Sequence, residues 1–231
     1  ASIVLVSHTS NSLLVKVRDA ATGLPLSDAS VQLSRDGYNE TLLTGLGFVQ
    51  QTDWSGGKGQ ASFTNEDKYF SDSGNVDINS PKGDVILKKS GHDYVASAWL
   101  ESSTFDLGTQ VNFNNIIWQP LAQDSHTGAN SVRMQIATSN SSSPASWVFT
   151  GPDGAISTYY TATSTIIHSS NNGKRYFRYL LFLSTANTSY TPEFSEVSFT
   201  YTTSCTPPGQ AFFGGLSENA YILTIIKTGY D

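Results

Sequence analysis

Strand-like alternation of apolar and polar residues runs along almost the whole of this chain, and hardly any segment carries a helical period. Such a sequence folds by stacking sheets, because each strand hides one face and needs a second sheet to hide it against. Gly, Asn, Ser and Pro punctuate the candidate strands throughout. Near the start, Leu13-Leu14-Val15-Lys16-Val17-Arg18-Asp19 leads into Thr22-Gly23-Leu24-Pro25-Leu26 and then Ala29-Ser30-Val31-Gln32-Leu33. That is an alternating strand, a Gly-Pro turn and a second alternating strand, with Val15, Val17, Val31 and Leu33 expected in a core. At the far end, Gly209-Gln210-Ala211-Phe212-Phe213-Gly214-Gly215-Leu216 precedes Tyr221-Ile222-Leu223-Thr224-Ile225-Ile226-Lys227-Thr228-Gly229-Tyr230.

A chain of 231 residues suits one large β-domain or two modest ones. Charged residues make up only 14%, with 19 glycines, a balance common in extracellular β-rich proteins and unusual for a cytosolic α/β enzyme. The net charge of −6, with Lys88-Lys89 and Lys174-Arg175 as isolated basic pairs, argues against a nucleic-acid partner. Cys205 is the single cysteine, so no intramolecular disulfide can form, and packing or partners must hold the fold. No run is long enough for a membrane-spanning helix. Ala1-Ser2-Ile3-Val4-Leu5-Val6 is apolar but short and lacks a basic flank, so it does not read as a signal peptide. The missing initiator Met leads us to expect that upstream residues were removed.

The two terminal segments together resemble the carboxypeptidase regulatory-like (transthyretin-like) domain, an immunoglobulin-like sandwich patterned V-x-V-x-D-x-x-T-G-x-P-L-x-x-A-x-V-x-L, later Y-x-L-x-V-x-x-x-G-Y. The matter between them is far too long for a loop, so an inserted domain is expected. There, Ser103-Thr104-Phe105-Asp106-Leu107-Gly108, Val132-Arg133-Met134-Gln135-Ile136-Ala137-Thr138, Trp147-Val148-Phe149-Thr150-Gly151-Pro152-Asp153-Gly154 and Arg175-Tyr176-Phe177-Arg178-Tyr179-Leu180 follow in order. That succession resembles a galactose-binding-like or discoidin-like jelly roll. The expected fold is all-β: an Ig-like (transthyretin-like) β-sandwich of residues 1–70 and 204–231, with a jelly-roll β-sandwich of residues 71–203 inserted. The combination looks like bacterial pilin-like and cell-surface proteins, and the first family spaces, presents and joins without catalytic apparatus of its own.

Chemistry is sparse. His8, His92, His126 and His168 are scattered without metal-ligand spacing, and no G-x-S-x-G nucleophile elbow is present. Glu101, Asp106, Asp153, Glu193 and Glu196 offer carboxylates, yet nothing in the spacing makes any two converge as a glycosidase requires. A non-enzymatic protein is expected. Jelly rolls often hold a structural calcium, and Asp72 and Asp77 bracket the oxygen-rich run Asp72-Ser73-Gly74-Asn75-Val76-Asp77. The same run suits a polar turn with Asx hydrogen bonds, lacking the length and terminal Glu of an EF-hand. For ligand contact, Trp99, Tyr159 and Tyr160 are the aromatic candidates, and one of the adjacent tyrosines must face outward from a strand. Trp118 and Trp147 sit in alternating apolar runs and are expected in the core. Arg175 and Arg178 are expected to stack on tyrosine rings, and Asn39, Asn140 and Asn187 are sequons.

Members of the transthyretin-like family usually continue past G-Y with one or two further strands, whereas this chain ends at Tyr230-Asp231. Its opening ribbon, Ser2, Ile3, Val4, Leu5 and Val6, looks like that missing strand moved to the front. It can complete its own domain, pair with the next copy, or close a neighbouring domain of a tandem array. We expect the second: an extracellular subunit of a pilus-like or surface filament. Residues Ala1 to Ser7 would then enter the open edge bearing Tyr221, Leu223, Ile225 and Tyr230 of another copy. The alternative is a carbohydrate-binding or adhesive module of a larger bacterial surface protein. Expected partners are other copies of the chain and a glycan or cell-surface receptor.

Overall fold

The computed structural model describes residues 2–8, 12–45, 48–203, 208–214 and 216–230, so Cys205 lies outside the described residues. Half of the chain is strand, helix amounts to 3%, and among the described residues no helix reaches seven residues, which makes the protein all-β with several sheets, as expected of a β-sandwich. The chain opens with β1 (Ser2–His8), β2 (Ser12–Arg18), β3 (Ser30–Arg35), β4 (Tyr38–Leu43) and β5 (Phe48–Gln51). Next come β6 (Ser71–Asp72), β7 (Val76–Asn79), β8 (Lys82–Leu87), β9 (Lys89–Ser90), β10 (Asp93–Tyr94), β11 (Ser97–Glu101) and β12 (Phe105–Gln119). They are followed by β13 (Val132–Ser139), β14 (Thr165–Ile166), β15 (Lys174–Ser184), β16 (Glu193–Phe194), β17 (Glu196–Thr202), β18 (Gln210–Phe213) and β19 (Ile222–Ile226). The chain divides into two compact units, residues 1–48 with 200–231, and residues 49–199. The first division, 48/49, lies well before the expected 70/71, while the second, 199/200, lies four residues from the expected 203/204. Residues 49–70 belong to the second unit because buried amides tie them there, as described below.

The first unit stacks two three-stranded sheets, β1-β2-β18 and β19-β3-β4. Alternation along β2 and β3 sends Val15, Val17, Val31 and Leu33 into one buried cluster with Leu26, Ala29, Ala211, Phe213 and Leu216. Each fully buried aliphatic or aromatic side chain contributes about 1.5–3 kcal/mol. The turn after β2 is set by Asp19, whose Oδ1 accepts from the Ala21 and Thr22 N–H groups at 2.8 and 2.7 Å. Those bonds, with the Thr22 hydroxyl, hold the Asp19 carboxyl below its ordinary range. Gly209 has φ +65°, and a Cβ there would lie 2.6 Å from the Pro25 Cβ and 2.7 Å from the Val17 carbonyl oxygen. The Gly-Leu-Pro turn and the returning strand thus require each other. Thr44 joins the same region: its buried hydroxyl donates to Leu26 O at 2.6 Å and accepts from Ala29 N at 2.9 Å.

The opening ribbon folds back within its own chain. It pairs antiparallel with β2 from Ser2↔Arg18 to His8↔Ser12, and it does not lie beside β19 in the sheet order. Of the residues expected to bear an open edge, Leu223 and Ile225 lie on β19, which stands at the end of its sheet with β3 as its neighbour. Leu223 and Ile225 pair with Leu33 and Val31 and pack on the core. Tyr221 precedes β19; its ring packs edge-on against Tyr38 and its hydroxyl donates to Ser217 O at 3.1 Å. Tyr230 lies in the turn after β19, its N–H bonded to Lys227 O at 3.1 Å.

The second unit is built on a curled sheet ordered β5-β17-β12-β15-β11-β6, with β13 added to β15 and β14 to β12. The 15-residue β12 pairs with β15 at Phe105 and Asp106 and again, after a register shift, at Val111, and it pairs with β14 at Asn115 and Ile116. Such irregularities bend a strand and increase its local twist. A smaller sheet, β16-β8-β7, and the β9-β10 hairpin complete the unit. Inside, Phe177 meets Phe105, Phe199 and Phe113 at ring separations of 4.7, 4.8 and 5.4 Å. Tyr179, fully buried, donates its hydroxyl to Gln51 Oε1 at 2.6 Å and accepts from Trp54 Nε1 at 2.9 Å. Burial pushes that phenol well above its ordinary pKa, so it stays neutral. Gln51 Nε2 in turn donates to the carbonyls of Asp53, Glu66 and Lys68. Gln60 does the same for Asn65 and Lys68, which satisfies backbone in a stretch with little regular structure.

Tyr179→Phe leaves the Trp54 N–H and one Gln51 acceptor buried without partners, a cost of about 1–3 kcal/mol. Denaturant unfolding followed by tryptophan fluorescence will show a lower midpoint with an unchanged slope.

Candidate functional site

Alternation on β15 that buries Phe177, Tyr179, Leu181 and Leu183 sends Tyr176, Arg178, Leu180 and Phe182 to the other face of the sheet. Neighbouring strands extend that face. Trp99 and Arg133 both pair with Phe182, Glu101 and Gln135 with Leu180, and Ala137 with Arg178. The segment after β13 returns along that strand through bridges Ile136–Thr150 and Met134–Tyr160, and Gln135 Nε2 holds it with bonds of 2.8 Å to Ile156 O and Thr158 O.

A cleft of about 430 Å³ opens on this face, lined by Ala61, Phe70, Glu101, Trp147, Phe149 and Arg178 together with Ser143 and Pro144. Arg178 is buried yet fully anchored. Its Nε donates to Thr104 Oγ1 at 2.8 Å, Nη1 to Glu101 Oε1 at 2.7 Å, and Nη2 to Ala61 O at 3.2 Å. Its guanidinium carbon also sits 4.1 Å from the Phe70 ring centre and 5.2 Å from that of Trp147. Phe70 is 37% exposed, while Trp147 and Phe149 are half-buried. Phe70 is held by its own N–H, which donates to Glu101 O at 3.1 Å, and by the neighbouring Tyr69, whose hydroxyl donates to Asp72 Oδ2 at 2.9 Å. Burial and the Asp72 charge push the Tyr69 phenol well up.

Trp99, 37% exposed, and half-buried Tyr159 lie at the other end of the same face. The Tyr159 ring packs edge-on against Phe182 at 5.2 Å, with Arg133 over it at 5.0 Å. Tyr160 is instead buried in the core, its hydroxyl accepting from His168 N at 3.1 Å, so it cannot touch a ligand. Trp118 is buried as expected, but Trp147 is not: it lies in irregular chain at the cleft, because only Thr150 of that apolar run bridges to β13. Arg175 stacks over Tyr176 at 5.0 Å, whereas Arg178 stacks on Phe70 and Trp147 and not on a tyrosine. A second depression, about 360 Å³, is lined by Trp118, Gln123, Asp124 and Thr163 among others, and its single tryptophan is only 3% exposed.

The oxygens of Asp72 already serve Tyr69, the Gly74 N–H and, at 3.4 Å, Lys58, while Asp77 caps Asn79 N at 2.8 Å. Among the described residues no three His, Cys, Asp or Glu side chains converge as metal ligands. Asp153 fixes the Gly-Pro-Asp-Gly turn by accepting from Ala155 N at 2.9 Å and from the Thr158 hydroxyl, which holds its carboxyl low. Asp106 takes a two-pronged bond from Arg175 at 2.6 and 2.8 Å. No family profile, curated protein or solved structure matches the chain.

Arg175, with the Gly108 N–H, holds the Asp106 carboxyl below its ordinary range. A carboxyl lowered in the folded state stabilises it above the ordinary carboxylate range, and that contribution is lost as pH falls through the lowered value. Carboxyl NMR titration will place Asp106 below a free aspartate. Arg175→Gln will raise its midpoint and flatten the acid side of the stability profile.

Proposed function

We propose that the chain is a non-catalytic extracellular recognition module whose second unit binds carbohydrate. Its first unit, a carboxypeptidase regulatory-like sandwich by its motifs, joins it to a bacterial surface assembly. The second unit, a galactose-binding-like jelly roll by the order of its motifs, is the part displayed. The observation that carries this reading is the cleft, where rings of Phe70, Trp147 and Phe149 stand around a pre-anchored Glu101–Arg178 pair. Accessible rings beside fixed polar groups suit a sugar, whose C–H face stacks on aromatics while its hydroxyls take hydrogen bonds. On a glycan array, wild-type protein will capture at least one class of oligosaccharide. Trp147→Ala and Phe70→Ala will weaken capture by about tenfold each, measured at a temperature where both variants are folded. An array with no captured glycan overturns the reading.

A second reading, a subunit of a pilus-like homopolymer, is favoured by one observation. The β1 ribbon is an edge strand joined to the sheet through β2 alone. The same pairing made to β2 of the next copy links chains head to tail, an exchange that keeps every main-chain bond. Deleting residues 1–8 will then abolish fibres seen by negative-stain microscopy while the second unit unfolds as before. Fibres that persist after the deletion overturn this reading.

A further inference from the structure

We propose that the floor of the aromatic cleft reads a vicinal diol, and that its ligand is a neutral pyranoside polysaccharide with two adjacent free hydroxyls. This rests on the carbohydrate reading above and specifies its chemistry. Glu101 spends Oε1 on Arg178, and its second carboxylate oxygen carries no further hydrogen bond among the described residues. Arg178 spends three of its five N–H groups on Thr104, Glu101 and Ala61, which leaves one on each terminal nitrogen. Both residues line the cleft, with side chains 18% and 7% exposed, a poorly solvated setting for the valences they have left.

An acceptor and a donor joined by a 2.7 Å bond present complementary groups side by side. A pair of adjacent hydroxyls matches them: one donates to the carboxylate, the other accepts from the guanidinium, and the sugar face rests on Trp147. The same bond sets the charge preference. Glu101 and Arg178 are the cleft's two charged residues and cancel each other, so a uronate or sialate would bring an uncompensated charge. The anchoring of Arg178 through Thr104 and Ala61 fixes the fork before binding, so little side-chain ordering is lost on capture.

Affinity electrophoresis in gels containing mannan, galactan, dextran or polygalacturonate tests this. Each polysaccharide is used intact and after periodate oxidation with borohydride reduction, which destroys vicinal diols. Wild-type protein will be retarded by at least one intact neutral polysaccharide and not by its oxidised form. Glu101→Gln will weaken retardation by about tenfold or more, as expected for a lost bond to a charged group. Because Glu101 also faces a buried arginine, each variant is first matched to wild type by near-ultraviolet circular dichroism. Should Glu101→Gln fail to match, the periodate comparison on wild-type protein decides alone. Retardation that is sensitive to Trp147→Ala but survives oxidation, or that favours polygalacturonate, overturns the diol pair and leaves the carbohydrate reading standing. Retardation by no polysaccharide, or retardation insensitive to Trp147→Ala, overturns both.

Discussion

One strand governs the second unit. The eleven residues of β15 pair with β11, β12 and β13, and their strict alternation divides the unit into an inside and a face. Phe177 and Tyr179 belong to the core, and between them Arg178 belongs to the cleft. Neither role can be moved by one residue, because a slip of one exchanges the two faces and would bury the guanidinium among phenylalanines. The hydroxyl network of Tyr179 and the hydrogen-bonded fork of Arg178 are opposite sides of the same constraint. The aromatic density of the core therefore fixes where the Arg178–Glu101 pair of the cleft stands.

Around that strand, side-chain amides stand in for secondary structure. Gln51, Gln60 and Gln135 each donate to two or more backbone carbonyls of segments that pair little with any sheet. A buried carbonyl left without a partner is costly, and one glutamine satisfying several makes an irregular path affordable. Phe70 follows the segment tied by Gln51 and Gln60, and the Trp147 run leads into the one clamped by Gln135. The rings of the cleft are thus placed by polar chemistry deeper in the unit rather than by their own packing.

The all-β class and the alternating strands β2, β3, β13 and β15 were legible in the sequence, because period two is visible wherever one face is buried. What escaped was decided by long-range bonds that leave no local mark. Residues 49–70 read as the tail of the first domain, yet Gln51, bonded to Tyr179, and Gln60, bonded to Ser103, attach them to the second unit. Trp147-Val148-Phe149 alternates like a strand and finds only an isolated bridge, so an apparent core tryptophan emerges at the cleft. Glu101 and Arg178 were each visible as residues, but their pairing depends on the register of β11 against β15, which no spacing reveals. A hint was present all the same: an arginine flanked by two aromatic residues in an apolar strand must point away from them.

The order in which the chain leaves the ribosome acquires meaning from the pairing of β18 with β2. Gln210 meets Lys16 and Phe213 meets Leu13, so the first sandwich cannot close its sheet until residues 210–213 have been synthesised. The contiguous unit of residues 49–199 has no such wait and can condense while the amino-terminal strands are still without their last partner. During that interval β2 is covered by the β1 hairpin on one side only, and its other edge stays open to non-native strand pairing until β18 arrives.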